Sequence, residues 1–258
     1  VFVNNTFVLN NITKYLHEHN LLPAICFVFS RRKAEQFAKT ISLSFNDSKT
    51  MNIIQGSTAV LIGYLFGCFQ TSYFISKMVS KKDIRKIGSG NAGASNVTSE
   101  LGWKYGILTG FSDILKAYIP TQIVLYIFPG AYQPLNLIAL AGTGAVLGHI
   151  YPFFLDFRGG KGIASYIGLL LAIDWQIGVA TIIALIFITI ITDYVAVGSI
   201  ALYIIIPLLA YYSNHSDVLI CCSVVLFGVG MIKHWINVQR ILGGTETGLR
   251  SVFKKHSS

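Results

Sequence analysis

"GHIYPFFLDFRGGKGIAS", residues 148–165, sets a Gly-Gly-Lys-Gly run beside a histidine, a proline and a string of aromatic and aliphatic side chains. Gly159, Gly160 and Gly162 let backbone N–H groups approach a ligand, Lys161 adds an ammonium, and the apolar run that follows supplies a helix N-terminus. Together these features describe an anion site. It is not a nucleotide-binding loop of the Gly-x-x-x-x-Gly-Lys-[Ser/Thr] kind, because neither the spacing nor the following hydroxyl is present. The competing reading, a lysine snorkelling at a membrane edge, leaves the three glycines unexplained.

The rest of the chain decides what this loop stands against. Of its 258 residues 53% are hydrophobic and only 12% charged, with a positive mean hydropathy. That is too little polar surface to cover a soluble globule of this size, so an integral membrane protein is expected. The four cysteines, Cys26, Cys68, Cys221 and Cys222, show no Cys-x-x-Cys spacing, and three lie in apolar runs. Neither a zinc site nor a disulfide framework is expected from them, and no metal or cofactor is called for.

A crossing of the ~30 Å hydrocarbon core needs about 20 apolar residues at 1.5 Å each. After Met51 seven runs approach that length, at 53–79, 104–128, 135–154, 162–173, 176–192, 196–212 and 218–236, the fourth so short that it is tilted, broken or joined to its neighbour. The fold expected is all-α, a polytopic membrane bundle of about seven helices. Lys81, Lys82, Arg85 and Lys86 follow the first run, Arg158 and Lys161 the third, and Arg240, Arg250, Lys254 and Lys255 the seventh. The opposite loops, "PGAYQPL", "DWQ" and "SNHSD", hold no Lys or Arg. The asymmetry makes the basic side cytoplasmic, with residue 51 outside and the C-terminus inside.

Residues 1–50 are a different kind of sequence, with six of the 20 basic residues and no run long enough to cross a bilayer. Within them "LLPAICFVFSRRKAEQFAKTI" reads as a strand over 24–29, a turn at Ser30-Arg31-Arg32 and an amphipathic helix. It resembles the start of the second motor domain of superkiller-type DExH RNA helicases. No nucleotide-binding loop or Asp-Glu motif accompanies it, so neither helicase activity nor a nucleic-acid partner is expected. The division expected is a helicase-like fragment over 1–50, from a gene fusion or a faulty gene model, and a membrane domain over 51–258; the other reading is a small amphipathic cap on that domain.

Two further motifs fall on the same face as the Gly-Gly-Lys-Gly loop. The first basic loop, "KKDIRKIGSGNAGASNV", interleaves Gly88, Gly90 and Gly93 with Ser89, Asn91, Ser95 and Asn96, a composition suited to a backbone anion nest; a flexible loop or small-residue helix contact is the alternative. The last, "KHWINVQRILGGTE", spaces His234, Asn237 and Arg240 three apart, along one helical face. An ordinary helix end collects such residues too. Asp113 and Lys116, three apart within the second run, are expected to pair with each other or line the cavity, and Glu246 has no assigned role.

Taken together, "DIRKIGSGNAGASNV", "GHIYPFFLDFRGGKGIAS" and "HWINVQRILGGTE" resemble the three cytoplasmic motifs of the bacterial acyl-phosphate-dependent glycerol-3-phosphate acyltransferases, over essentially all of 51–258. The resemblance implies a multi-pass protein of the cell membrane, with its site facing the cytoplasm, that moves a fatty acyl group from acyl phosphate to glycerol 3-phosphate and so forms lysophosphatidic acid. It implies Lys161, His234, Asn237 and Ser89 as catalytic, with Lys161 the phosphate counter-ion and His234 and Asn237 at the reacting hydroxyl and carbonyl. Substrate binding falls to Gly88, Gly90, Asn91, Gly93, Asn96, His149, Gly159, Gly160, Gly162 and Arg240, with Asp113, Lys116 and Glu246 secondary. The partners implied are acyl phosphate, glycerol 3-phosphate and membrane lipid.

The chain departs from the family pattern twice. Ser99 stands where Asn-x-x-Arg is usual, and Tyr194-Val195-Ala196-Val197 replaces a Tyr-Ser-Ser-Leu. A hydroxyl does not replace an arginine fork on phosphate, so a different phosphorylated acceptor is an open alternative. So are a transporter for small anions, for which no inverted repeat is visible, and a binder without turnover.

Overall fold

The computed structural model describes residues 48–257 apart from Tyr132, Asn214 and His215. The chain divides into two compact units, Val1–Ile54 and Gln55–Ser258, and the site belongs to the second. The strand, turn and helix expected within residues 24–41, and the helicase likeness built on them, lie outside the described residues.

Every regular element among the described residues is helical. In chain order these are α1 (Ser48–Cys68), α2 (Thr71–Val79), a 3-10 turn at Ile84–Lys86, α3 (Ala94–Leu101), α4 (Trp103–Ile127), α5 (Pro134–Ile150) and a 3-10 turn at Phe153–Leu155. Then follow α6 (Ile163–Ile173), α7 (Trp175–Thr192), α8 (Val195–Tyr212), α9 (Asp217–Leu242) and α10 (Leu249–Ser257). Among the described residues five stretches are long and apolar enough to cross a membrane: Ile53–Val79, Pro134–Leu155, Trp175–Thr192, Val195–Tyr212 and Asp217–Leu242. α4 has the length, 25 residues, and carries Asp113 and Lys116 buried at its middle. α6 has only 11 residues, about 16 Å of helix against a core of ~30 Å. It stops at Asp174, whose carboxylate accepts from the Gln176 and Ile177 amides and starts α7.

The first run is not the continuous helix its apolar length implies. It breaks at Phe69-Gln70, between α1 and α2. Gln70 is buried there, and its side-chain amide donates to the carbonyls of His149 (3.0 Å) and Gly67 (3.4 Å). Lys116 donates to the freed Phe69 carbonyl at 2.8 Å. Backbone groups released inside a bilayer have no water to turn to, so a break is tolerated only where neighbouring helices supply such partners.

α1 and α5 meet through glycine. A Cβ at Gly63 or Gly67 would collide with the carbonyls of Ala141 or Ala145, and one at Gly144 or Gly148 with those of Val60 or Tyr64. Gly-x-x-x-Gly on both helices thus removes the side chains that would hold the backbones apart. The main apolar core lies between α5, α6, α8 and α9, around Val146, Ile150, Tyr166, Leu169, Tyr203 and Leu226. α7 turns Ile183, Phe187, Ile190 and Ile191 outward, as a helix facing lipid does.

Candidate functional site

The first glycine loop is organised by a single buried amide. Asn96, on the first turn of α3, donates to the carbonyls of Ile84, Ile87 and Asn91, each at 3.1 Å, and its Oδ1 accepts from the Ser89 amide at 2.9 Å. Gly88 and Gly90 lie at φ +57° and +75°, in the left-handed region that favours glycine. A side chain at Gly88 would also collide with Asn96 Oδ1. Arg85 ties this loop to the second: its guanidinium donates to Asp83 and, at 2.7 Å, to the Leu155 carbonyl. The hydrogen bond from Arg85 holds the Asp83 carboxyl below its ordinary pKa.

The second loop folds back onto the end of α5. The Gly159 amide donates to the Ile150 carbonyl and the Gly160 amide to that of His149, both at 3.1 Å. These two donors, which the sequence directs at an anion, therefore cap the helix instead. Gly160 is glycine because a Cβ would collide with the His149 ring and approach the Ala92 carbonyl to 2.8 Å. That contact brings the first and second loops together. Gly162 at φ +87° starts α6, and the buried Tyr203 hydroxyl donates to the Lys161 carbonyl at 2.9 Å.

The third motif closes the site. Along α9, His234 and Asn237 are buried and Arg240 is half-buried on the same face. Lys161 Nζ donates to Asn237 Oδ1 at 2.5 Å, and Asn237 Nδ2 donates to Glu246 Oε1 at 2.6 Å. Glu246 is held in turn by its amide, which donates to the Arg240 carbonyl at 3.2 Å. His234 Nδ1 lies 2.8 Å from the Gly230 carbonyl. A carbonyl only accepts, so Nδ1 carries the proton and Nε2 keeps its lone pair for a ligand.

Asp113 and Lys116 form an ion pair at 2.9 Å, and Asp113 lies 3.5 Å from His149 Nδ1. All three side chains are buried. Of the two alternatives in the sequence, pairing is the one seen. His149 is thus wedged between this pair and Gly160, beneath the second loop.

The electrostatics favour an anion. Burial, with Arg240 nearby, lowers the Lys161 ammonium from its ordinary value to about 8, against the opposing pull of Glu246. A desolvated cation beside a second one is poised to gain from a doubly charged phosphate. No three His, Cys, Asp or Glu side chains among the described residues stand together as a metal would need. What the arrangement offers is cationic binding and a histidine nitrogen with a free lone pair.

Residues 57–244 match the family model described as glycerol-3-phosphate acyltransferase. The chain belongs to that family. It is 40% identical over 207 residues to glycerol-3-phosphate acyltransferase 1 of Oceanobacillus iheyensis, covering 78% of this chain and 98% of that protein. It is 37% identical over 191 residues to glycerol-3-phosphate acyltransferase of Thermoanaerobacter pseudethanolicus, covering 73% and 93%. It is also similar to the crystal structure of PlsY (YgiH), an integral membrane glycerol 3-phosphate acyltransferase, in its glycerol 3-phosphate form. The TM-score there is 0.68 at 31% identity, over 75% of this chain and 94% of that one. The lysophosphatidic acid form of the same protein gives 0.66 at 31% identity.

In this acyltransferase, then, Lys161, Asn237, Glu246, His234 and Arg240 come from two loops and a helix to one place, with Gly160 linking Ala92 and His149 behind them. Asn96 differs from its expected part: both ends of its amide hold the loop, which leaves Ser89, exposed on that loop, and Asn91 as the polar side chains nearer solvent. Sequence reasoning missed Gln70, Arg85 and Tyr203. Each acts on a carbonyl more than 40 positions away, and no local spacing marks such a partner.

Proposed function

We propose that this chain, as a glycerol-3-phosphate acyltransferase, takes the acyl group from acyl phosphate on the cytoplasmic face of the membrane. The family membership makes it an acyltransferase of a multi-pass membrane type. The finer topology proposed is seven crossings, with α1 and α2 as the first, α4 as the second and α6 as a short fourth. The asymmetry of Lys and Arg supports the cytoplasmic assignment. The catalytic unit proposed is residues 51–258.

In the reaction a glycerol hydroxyl attacks the acyl carbon, an ester C–O bond forms, and the bond from that carbon to the phosphate oxygen breaks. Lys161 and Arg240 neutralise phosphate in both substrates and the charge that grows on the leaving group. His234 Nε2 accepts the hydrogen bond that orients the hydroxyl, and the proton leaves with a phosphate oxygen of the departing donor. Asn237 and Glu246 hold Lys161 in place, Asn96 shapes the first loop, and Ser89 and Asn91 bind the acceptor's phosphate.

The observation that carries this reading is the bond from Lys161 to Asn237, which unites the second and third motifs. The test is purified full chain with synthetic acyl phosphate and labelled glycerol 3-phosphate. Labelled lysophosphatidic acid is expected from the native chain and none from Lys161→Ala. A folded native chain that yields no product overturns the proposal. A second reading, a different phosphorylated alcohol as acceptor, is favoured by Ser99 at the end of α3, where the family pattern has arginine; the same assay with other phosphorylated alcohols separates the two.

A further inference from the structure

Tyr203 belongs to none of the three motifs, yet it meets two of them. It sits on α8, wholly buried, and its hydroxyl donates to the Lys161 carbonyl at 2.9 Å. The second loop is shaped to admit that hydroxyl: a Cβ at Gly162 would stand 2.9 Å from it, and Gly162 also holds φ +87°, which glycine adopts without strain.

The ring of the same residue bears on α9. A Cβ at Gly230 would stand 2.6–2.7 Å from three of its carbons, so the ring rests against bare helix backbone. Gly230 is the residue whose carbonyl holds His234 Nδ1 at 2.8 Å, and the Tyr203 and His234 ring centroids are 5.8 Å apart. Stacking on Tyr166, with centroids 5.2 Å apart and planes inclined by 23°, fixes the plane of the Tyr203 ring. A phenol is rigid from ring to oxygen, so its two ends set a fixed separation between the backbones they touch. An ammonium on a flexible four-carbon stem is only as well placed as the backbone it grows from. Asn237 holds the tip of Lys161, and Tyr203 holds its root.

We infer that Tyr203 is a positioning residue of the transfer reaction, a strut on α8 that sets Lys161 against His234 through its hydroxyl and its ring. The inference rests on the acyl-transfer reading of the site that these two residues share.

The test compares the full native chain with Tyr203→Phe, Tyr203→Leu and Tyr166→Phe, using synthetic acyl phosphate and glycerol 3-phosphate. Tyr203→Phe keeps the ring and deletes the bond to Lys161; it is expected to lower kcat/KM about tenfold, the scale of one buried hydrogen bond left unmade. Tyr203→Leu deletes the ring as well and is expected to lower it about hundredfold. Tyr166→Phe removes a hydroxyl from the same stack that has no hydrogen-bond partner among the described residues, and it is expected to behave as the native chain. The readout that a merely structural tyrosine would not move is the pH profile. Glu246, Arg240 and His234 face the Lys161 ammonium, and all three remain in Tyr203→Phe. Lys161 released from its anchor regains water, which favours its charged form, so the falling limb of kcat/KM near pH 8 should move to higher pH. A limb left in place in Tyr203→Phe, whether turnover is native or falls only in step with folded protein as read by melting in detergent, overturns the inference, as does an equal shift in Tyr166→Phe. A folded native chain without turnover overturns the acyl-transfer reading instead.

Discussion

Lys161 and Asn237 stand 76 positions apart in the chain, yet the ammonium of the first donates to the amide oxygen of the second at 2.5 Å. The other end of the amide is held by Glu246, so one side chain fixes a cation from α6's leading loop against the tail that follows α9.

Asn237→Ala is accordingly expected to lower turnover about ten- to hundredfold, the equivalent of one lost charge-assisted hydrogen bond of ~1.5–3 kcal/mol. Asn237→Asp is expected not to rescue it. The new carboxylate still accepts from Lys161, but it lies against Glu246 and neutralises the charge that attracts phosphate. Steady-state assays of the two variants beside the native chain check both expectations.

The depressed Lys161 value gives a pH dependence with a definite sign. The ammonium is the form that binds phosphate and exists below the pKa, so kcat/KM should hold below and fall as pH rises through about 8. Arg240 is one cause of the depression. Arg240→Gln removes it, so the falling limb should move to higher pH even as acceptor affinity drops. A pH profile of kcat/KM for both chains is the measurement.

Gly160 makes a third prediction. A methyl there collides with the His149 ring and presses on the Ala92 carbonyl, so Gly160→Ala should cost ~1–3 kcal/mol of stability and most of the activity. His149→Ala in the same chain opens the space occupied by the ring but not that at Ala92. Partial recovery in the double variant, read by thermal melting and turnover, is the expected outcome.

These expectations also mark what a linear reading can reach. Glycine spacing and the placement of Lys161, His234, Asn237 and Arg240 are local facts, written in runs of a few residues, and the apolar runs announce helices by length alone. The break at Phe69-Gln70 is not of that kind. A glutamine inside an apolar run says nothing of a His149 carbonyl 79 positions away. The same holds for α1 against α5, where Gly63, Gly67, Gly144 and Gly148 form two ordinary small-residue motifs until the helices meet. Asn96 illustrates a different difficulty: its type and place in the loop fit an anion ligand as well as a loop scaffold, and only its four bonds separate the two roles.

The Asp113–Lys116 pair yields a prediction in which the double change is milder than either single one. Both side chains are almost wholly buried and 2.9 Å apart, and Lys116 also closes the Phe69 carbonyl at the break. Asp113→Leu leaves an ammonium with only a carbonyl and the nearby His149; Lys116→Leu leaves a carboxylate whose remaining neighbour is that histidine. Removing one member of a buried pair costs ~3–5 kcal/mol, whereas apolar side chains at both positions are often tolerated. Melting of the single and double variants in detergent should therefore give a double mutant more stable than either single. Activity is expected to follow another order, since the Phe69 carbonyl and the His149 wedge under Gly160 lose their partners in the double variant as well. A double variant that recovers stability but not turnover would identify the pair as a support for the glycine loop rather than only for the bundle.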